Sequence, residues 1–323
     1  VLTMRVRIAV LTAATVVLAV GAAVYVRSAA GRDAGAAPRF EQVSLTPGPR
    51  LLTVTDRHVA VVAADNPGGA RTVSAVECVR AYAAAGTGIC LRQKTPWAYQ
   101  AVVLDTQLHD RQAIDIPGLP NRARVSASGR MLAWTTFVGG DSYTSSGFST
   151  RTGILDTATG ALVSTLEDFA VTRDGRPYRS VDVNFWGVTF TADDNVFYAT
   201  MSTAGHRYLV RGDFAARTVE TLRDNVECPS LSPDGTRLAF KQAVDGDPLR
   251  GWHLSVLDLA SMRVTPTAEA TSVDDQAAWL SDTDLAYTLR HADGQPDIWS
   301  VRADGTGAPR LLVPGAESPS PLA

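Results

Sequence analysis

Five acidic residues, Glu77, Asp182, Glu227, Asp275 and Glu317, stand just ahead of short apolar runs in a chain of 323 residues. If the fold gathers those runs around one axis, their carboxylates form a ring. At about 7 Å, two carboxylates repel by roughly 0.6 kcal/mol in water and about 2.4 kcal/mol at an effective dielectric of 20. A wet channel tolerates that, whereas a closed one requires arginine, a metal ion or a basic ligand. The plainer reading is that these acids form turns and solvated loops. A second set of candidates lies in two long stretches, 137–148 and 167–186. Loops of that length are uncommon unless they act or are disordered, and the second is too aromatic for disorder. Asp141 and Tyr143 belong to the first; Asp168, Arg173, Arg176, Tyr178, Arg179, Asp182 and Trp186 belong to the second. Arginine forks beside acids and aromatic rings receive an anionic group or the acidic loop of a partner. The same residues also suit the internal salt bridges of a loop that plugs the centre of the fold.

The three cysteines are Cys78, Cys90 and Cys228. Cys78 and Cys90 sit symmetrically about a turn at Ala84, which places them opposite each other on neighbouring strands and favours a disulfide between them. Because Val76-Glu77-Cys78 is echoed by Val226-Glu227-Cys228, pairing of Cys78 with Cys228 is the alternative. No paired Cys-x-x-Cys or His-x-x-His spacing suggests a metal. Gly140-Asp141-Ser142 lies in a loop with no strand-to-helix turn, and no Gly-x-Ser-x-Gly occurs. The histidines, His58, His109, His206, His253 and His291, are scattered singly, and no glycine-rich phosphate loop is present. Catalytic residues, metal and cofactor are therefore expected to be none. A formal charge of -3 without a basic run gives no drive toward nucleic acid.

The elements that must position these residues are short strands. Ser232-Pro233-Asp234-Gly235 separates two apolar runs and reads as a hairpin turn, with proline presetting one dihedral and glycine admitting positive φ. A third run ends at Asp258 and a fourth follows; four strands in about 40 residues make one propeller blade. An apolar run ending in Asp recurs at Asp65, Asp105, Asp156, Asp213, Asp258 and Asp304, at blade-like spacings of about 40 to 57 residues. The hairpin recurs at 126–129, 191–194 and 281–284. The first copy has only three strands, and the C-terminal Glu317-Ser318-Pro319 resembles Glu227-Cys228-Pro229. The tail is thus expected to supply the innermost strand of the first blade. By this pattern both long stretches extend loops on one face, in adjacent blades.

Ile8 to Val26 is free of charge, preceded by Arg5 and Arg7 and followed by Arg27. As a helix it spans about 28 Å, close to the bilayer core. An uncleaved anchor and a cleaved signal peptide both fit, since Ser28-Ala29-Ala30 offers small residues at a cleavage position. Positive-inside logic places the remainder outside the cytoplasm.

The Ser-Pro-Asp-Gly hairpin, Asp297-Ile298-Trp299-Ser300-Val301 and Asp258-Leu259-Ala260-Ser261 together resemble the WD-related repeats of TolB-like propellers. The chain from about Phe40 to Ala323 is similar to the membrane-anchored type of high-GC Gram-positive bacteria. TolB itself carries an α/β domain ahead of its propeller, which the tether does not match, so the resemblance implies the fold rather than a Tol-Pal role. The expected fold is all-β, a six-bladed β-propeller closed by the C-terminal strand and preceded by one N-terminal transmembrane or signal-anchor helix. Residues 1–27 are the anchor, 28–40 an Ala/Gly/Arg tether and 41–323 the propeller. The expected role is an extracytoplasmic, membrane-tethered binding or scaffold module, a monomer, for a protein, peptide or cell-envelope ligand; a cleaved anchor makes it secreted. The alternatives are a propeller enzyme of lyase or hydrolase type, and a metal or ligand sensor, each with its site at the channel mouth.

Overall fold

A computed structural model of the chain describes residues 39–139 and 149–322, together with Thr15, Leu18 and Val20. The chain divides into two units, Val1–Phe40 and Glu41–Ala323, and the second carries the strands. The apolar run Ile8 to Val26 lies outside the described residues apart from Thr15, Leu18 and Val20. Among the described residues no helix is long and apolar enough to cross a membrane.

The second unit is an all-β, six-bladed propeller of six sheets, each built on four antiparallel strands. Each apolar run ending in Asp forms the third strand from the centre of its blade: His58–Ala63, Ala98–Leu104, Ser149–Asp156, His206–Asp213, Trp252–Asp258 and Pro296–Arg302. The aspartate recurs because the turn into the fourth strand needs an acceptor for backbone N–H groups two to four residues on. Asp105 takes the amides of Gln107 and His109, at 2.8 and 2.9 Å. Asp156 takes Ala158 N and the fork of Arg130. Asp258 takes Ser261 N at 2.8 Å. The Ser232 turn follows the same logic: Gly235 sits at φ 71° and its N–H donates to Ser232 O at 2.9 Å. Asp234 then accepts from Ser232, Thr236 and Arg237.

The core is distributed as six apolar clusters, one between each pair of neighbouring blades. Side chains alternate across a strand, so successive residues enter different clusters. Leu51 packs toward the sixth blade and Leu52 toward the second. Leu132 and Ala133, and likewise Leu238 and Ala239, divide in the same way. This explains runs that are apolar throughout instead of alternating with polar residues.

The tail strand Glu317–Pro321 pairs antiparallel with Arg50–Thr55 at the inner edge of the first sheet. Cys78 and Cys90 form a disulfide with Cα atoms 5.4 Å apart, and Cys228 is a buried free thiol. Cys78 lies just before the strand Arg80–Ala84, two residues short of the strand position expected for it.

The stretch 167–186 departs from expectation. It does not remain an entry loop and does not plug the channel. Ala170–Arg173 and Arg176–Tyr178 form a hairpin that adds in parallel to Thr218–Asp224, the outer strand of the fourth blade, giving that sheet six strands. An outer strand presents unpaired backbone groups, and the hairpin satisfies them.

Candidate functional site: a charged funnel at the channel mouth

Inner strands begin on the same side of the ring on which second strands end. On that side the central channel widens into a cavity of about 710 Å³. Its wall includes Trp186, Trp252, Phe137 and Leu289, with the cations Arg80, Arg122, Arg207, Lys241 and Arg290 and the acids Glu227, Asp274 and Asp275. Deeper in the ring, Arg124 is buried, donates to Ala277 O at 3.1 Å and stacks 4.3 Å over Tyr82. Gln276 joins Val188 O to Pro229 O, at 3.1 and 2.8 Å.

A repeated backbone device places three of the mouth residues. Trp186, Glu227 and Glu317 are each followed by a residue at positive φ: Gly187 at 66°, Cys228 at 49° and Ser318 at 59°. Strand register shifts at each place, so these are β-bulges that turn the start of an inner strand toward the mouth. The likeness of Glu317-Ser318-Pro319 to Glu227-Cys228-Pro229 is this shared bulge. Cys228 is held there by donation from its N–H to Thr200 Oγ1 at 2.8 Å. A Cβ on Gly187 would stand 2.7 Å from Cys228 Cα, so glycine is required by space as well as by φ.

The acids at the mouth are paired with cations. Glu227 contacts Arg207 Nε at 2.5 Å and Lys241 Nζ at 3.4 Å. Glu317 contacts Arg80 at 3.0 Å and Arg290 at 2.5 Å. Asp275 lies 4.0 Å from Arg80 and accepts from Thr288 N at 3.0 Å. Asp274 contacts Lys241 at 2.6 Å and Arg122 at 3.4 Å. Lys241 Nζ also sits 4.3 Å over the Trp252 ring, a cation–π contact inside a partly desolvated site.

Burial raises the pKa of Glu227, and Lys241 and Arg207 act against that rise. Burial works against the Lys241 ammonium, but Cys228, Glu227 and Asp274 outweigh it and raise its pKa. For Asp274 the surrounding walls oppose the charge, while Lys241 and Arg122 overcome them and lower the pKa. The arrangement is a belt of paired charges with residues from every blade, and arginine and lysine supply the compensation a closed carboxylate ring requires. Among the described residues no group of three or more His, Cys, Asp or Glu side chains is placed to hold a metal.

The residues singled out from sequence divide. Glu227, Asp275 and Glu317 meet at the mouth. Glu77 stands apart, its side chain 62% exposed and 3.8 Å from His58, over a separate depression with Arg57, Arg92 and Lys94; it ends the outer strand Arg71–Glu77 and does not reach the axis. Asp182 secures the turn at the end of Val196–Thr203, accepting from Thr203 Oγ1 and Ala204 N. Within the second long stretch only Trp186 lines the funnel. Arg173 is stacked between Tyr178 and Tyr208, 5.1 Å from each ring, and Tyr178 shares a hydrogen bond with Thr203 Oγ1. Asp168, Arg176 and Arg179 are exposed. Asp141 and Tyr143 lie outside the described residues. Sequence reasoning missed Arg80, Arg122, Arg207, Lys241, Trp252, Asp274 and Arg290. The available signal was a charge inside an apolar strand, as in Leu238-Ala239-Phe240-Lys241 and Arg122-Ala123-Arg124-Val125.

No protein-family model matches the chain. In structure it is similar to TolB from Acinetobacter baumannii, with a TM-score of 0.63 at 16% identity, covering 85% of this chain and 67% of that one. The fold is that of a TolB-like propeller. A TolB structure from Agrobacterium tumefaciens matches this TolB-like ring with a TM-score of 0.50 at 12% identity, over 83% of this chain and 90% of that one. In sequence, a TolB homologue from Chlorobium luteolum is 38% identical over 78 residues, which is 24% of this chain and 16% of the relative.

Proposed function

We propose that the chain is an extracytoplasmic, membrane-tethered TolB-like propeller of the anchored Gram-positive type, acting as a binding or scaffold module that takes a protein or peptide segment at its funnel. The observation that carries this reading is where the exposed apolar side chains lie. Trp97, Leu119, Phe137, Val181 and Leu249 are large, apolar and exposed, the three most exposed of the unit among them, while Leu162, Leu222 and Leu311, 38 to 48% exposed, lie singly on outer strands. Each of the first five stands at the start of an inner strand or the end of a second strand, on the face where the funnel opens. A rim of exposed apolar groups around a polar, charged pocket is the composition of an interaction surface. The pairing of the mouth carboxylates with arginine and lysine supports binding without catalysis. The Cys78–Cys90 disulfide supports an oxidising compartment, and the charge-free run Ile8 to Val26 supports a tether.

The test is co-purification from the source membranes with the native chain and with a Trp97→Asp, Leu249→Asp double variant. Both side chains are more than nine-tenths exposed, so the variant folds normally. A partner recovered with the native chain and lost with the variant supports the reading. Equal recovery with both, or recovery with neither, contradicts it.

A further inference from the structure

The charges at the funnel differ in how firmly they are held. Glu227 is buried with its two oxygens against different cations, and Glu317, 17% exposed in its side chain, is likewise held by two. These are structural. Asp274 is unlike them. Its side chain is 72% exposed in the funnel, yet the two cations it holds are buried: 4% exposed for Lys241 and 8% for Arg122. It lies outside the strands, in the connection between Val264–Pro266 and Ala278–Trp279. One oxygen, Oδ1, serves both cations. Arg122 is moreover incompletely satisfied: the residue is 7% exposed, and its Nε is buried with no hydrogen-bond partner among the described residues. A buried guanidinium with an unmet donor, beside a buried ammonium, is a site for an anion. Lys241 also meets the buried Glu227 at 3.4 Å and Arg122 also donates to Asn121 O and Asp274 O; of the carboxylates on the pair, Asp274 is the solvent-exposed one.

We propose that the funnel recognises a carboxylate on the peptide segment it binds, and that Asp274 occupies the place of that carboxylate until the ligand displaces it. This rests on the funnel being the binding site and adds the chemistry of its ligand. Lys241 Nζ and Arg122 Nη2, the donors that Asp274 Oδ1 now engages, receive the incoming carboxylate. Trp186, Trp252 and Leu289 line the same cavity and accept an apolar side chain next to the carboxylate. Displacing Asp274 exchanges its carboxylate for the ligand's on the same two cations, and its own side chain, 72% exposed, turns into solvent.

The experiment follows tryptophan fluorescence, which Trp186 and Trp252 make responsive to the funnel. The probes are the acetylated dipeptide Leu-Phe as free acid, the same dipeptide as amide, and acetylated Glu-Phe amide. The free acid is expected to bind at least about tenfold tighter than its amide. Comparable binding of Glu-Phe amide shows that the funnel takes a carboxylate from a side chain or a terminus alike, and its failure assigns it to a chain terminus; both accord with the proposal provided that the Leu-Phe acid is preferred to its amide. Asp274→Asn, an exposed and isosteric change, is expected to tighten the preferred acid several-fold and leave the Leu-Phe amide unchanged. Lys241→Met and Arg122→Gln are expected to abolish the preference. Equal affinity for acid and amide overturns the proposal while leaving the funnel as the binding site, as does Asp274→Asn weakening both. Binding of none of the three probes overturns the proposal together with the reading beneath it.

Discussion

Deleting residues 317–323 removes a strand that belongs to the first blade but is made by the other end of the chain. We infer that this strand closes the ring, and its loss can be sized. Leu51, Leu52 and Val54 lose their inner neighbour. The main-chain bonds Gly48 N to Leu322 O and Leu322 N to Arg50 O disappear, at 2.6 and 2.9 Å. So does the pair of bonds between Ser320 Oγ and the backbone of Ala83, at 3.0 and 2.8 Å. Each such bond contributes about 1 kcal/mol net. Burial of Leu322, 2% exposed, adds about 2 kcal/mol. Arg80 and Arg290 lose their shared acid, Glu317. The total is on the order of 6 to 10 kcal/mol, comparable to the whole stability of a typical domain. The truncated chain is therefore expected to aggregate or to lack a cooperative thermal transition, read by size exclusion and calorimetry. A monomeric truncate melting within a few degrees of the full chain would refute the reasoning.

Three further outcomes are expected. Reduction of Cys78–Cys90 should cost about 3 kcal/mol in the chain-entropy account, seen as a lower urea midpoint with reductant, while Cys228→Ser shows the same reductant dependence as the native chain. Gly212→Ala would set a Cβ 2.1 Å from the Phe197 ring and should destabilise by about 1 to 3 kcal/mol; an unchanged midpoint contradicts that packing. Arg130 holds the Asp156 carboxyl, Ser232 that of Asp234 and Arg302 that of Asp304, all well below the usual range. Because these pKa values are lower in the folded than in the unfolded state, about 3.9 for the latter, their stabilisation is whole above about pH 5 and is lost as pH falls through 4 and below. Urea midpoints should be flat from pH 7 to 5 and drop by pH 3, with Asp156→Asn showing a shallower drop; a midpoint constant down to pH 3 contradicts it.

The blades were legible because most repeats carry their own turn chemistry: an aspartate that closes the third-to-fourth turn in five of them, and a Ser-Pro-Asp-Gly or related hairpin in four. These are local demands that leave marks at fixed spacing. The disulfide was legible for the same reason, its cysteines being only 12 residues apart. The belt at the mouth was legible only by halves. Glu227, Asp275 and Glu317 were visible because they precede inner strands. Their partners come from strand ends far away in sequence: Arg80 meets Glu317 and Arg122 meets Asp274 only because the ring brings distant blades to one axis. The arginine-rich stretch misled because loop length suggests exposure at the mouth, whereas the backbone of 170–178 found hydrogen bonds at the outer edge of a sheet. Local sequence does not encode which free edge an added hairpin will choose.

The central claim is that the chain engages its partner at the funnel face. Site-specific photo-crosslinking in the source membranes tests it most directly, with a photoreactive residue placed at Leu249 on the funnel side or at Leu311 on an outer strand, both exposed. A discrete adduct from position 249 and none from position 311 is expected. An adduct from 311 alone would contradict the account.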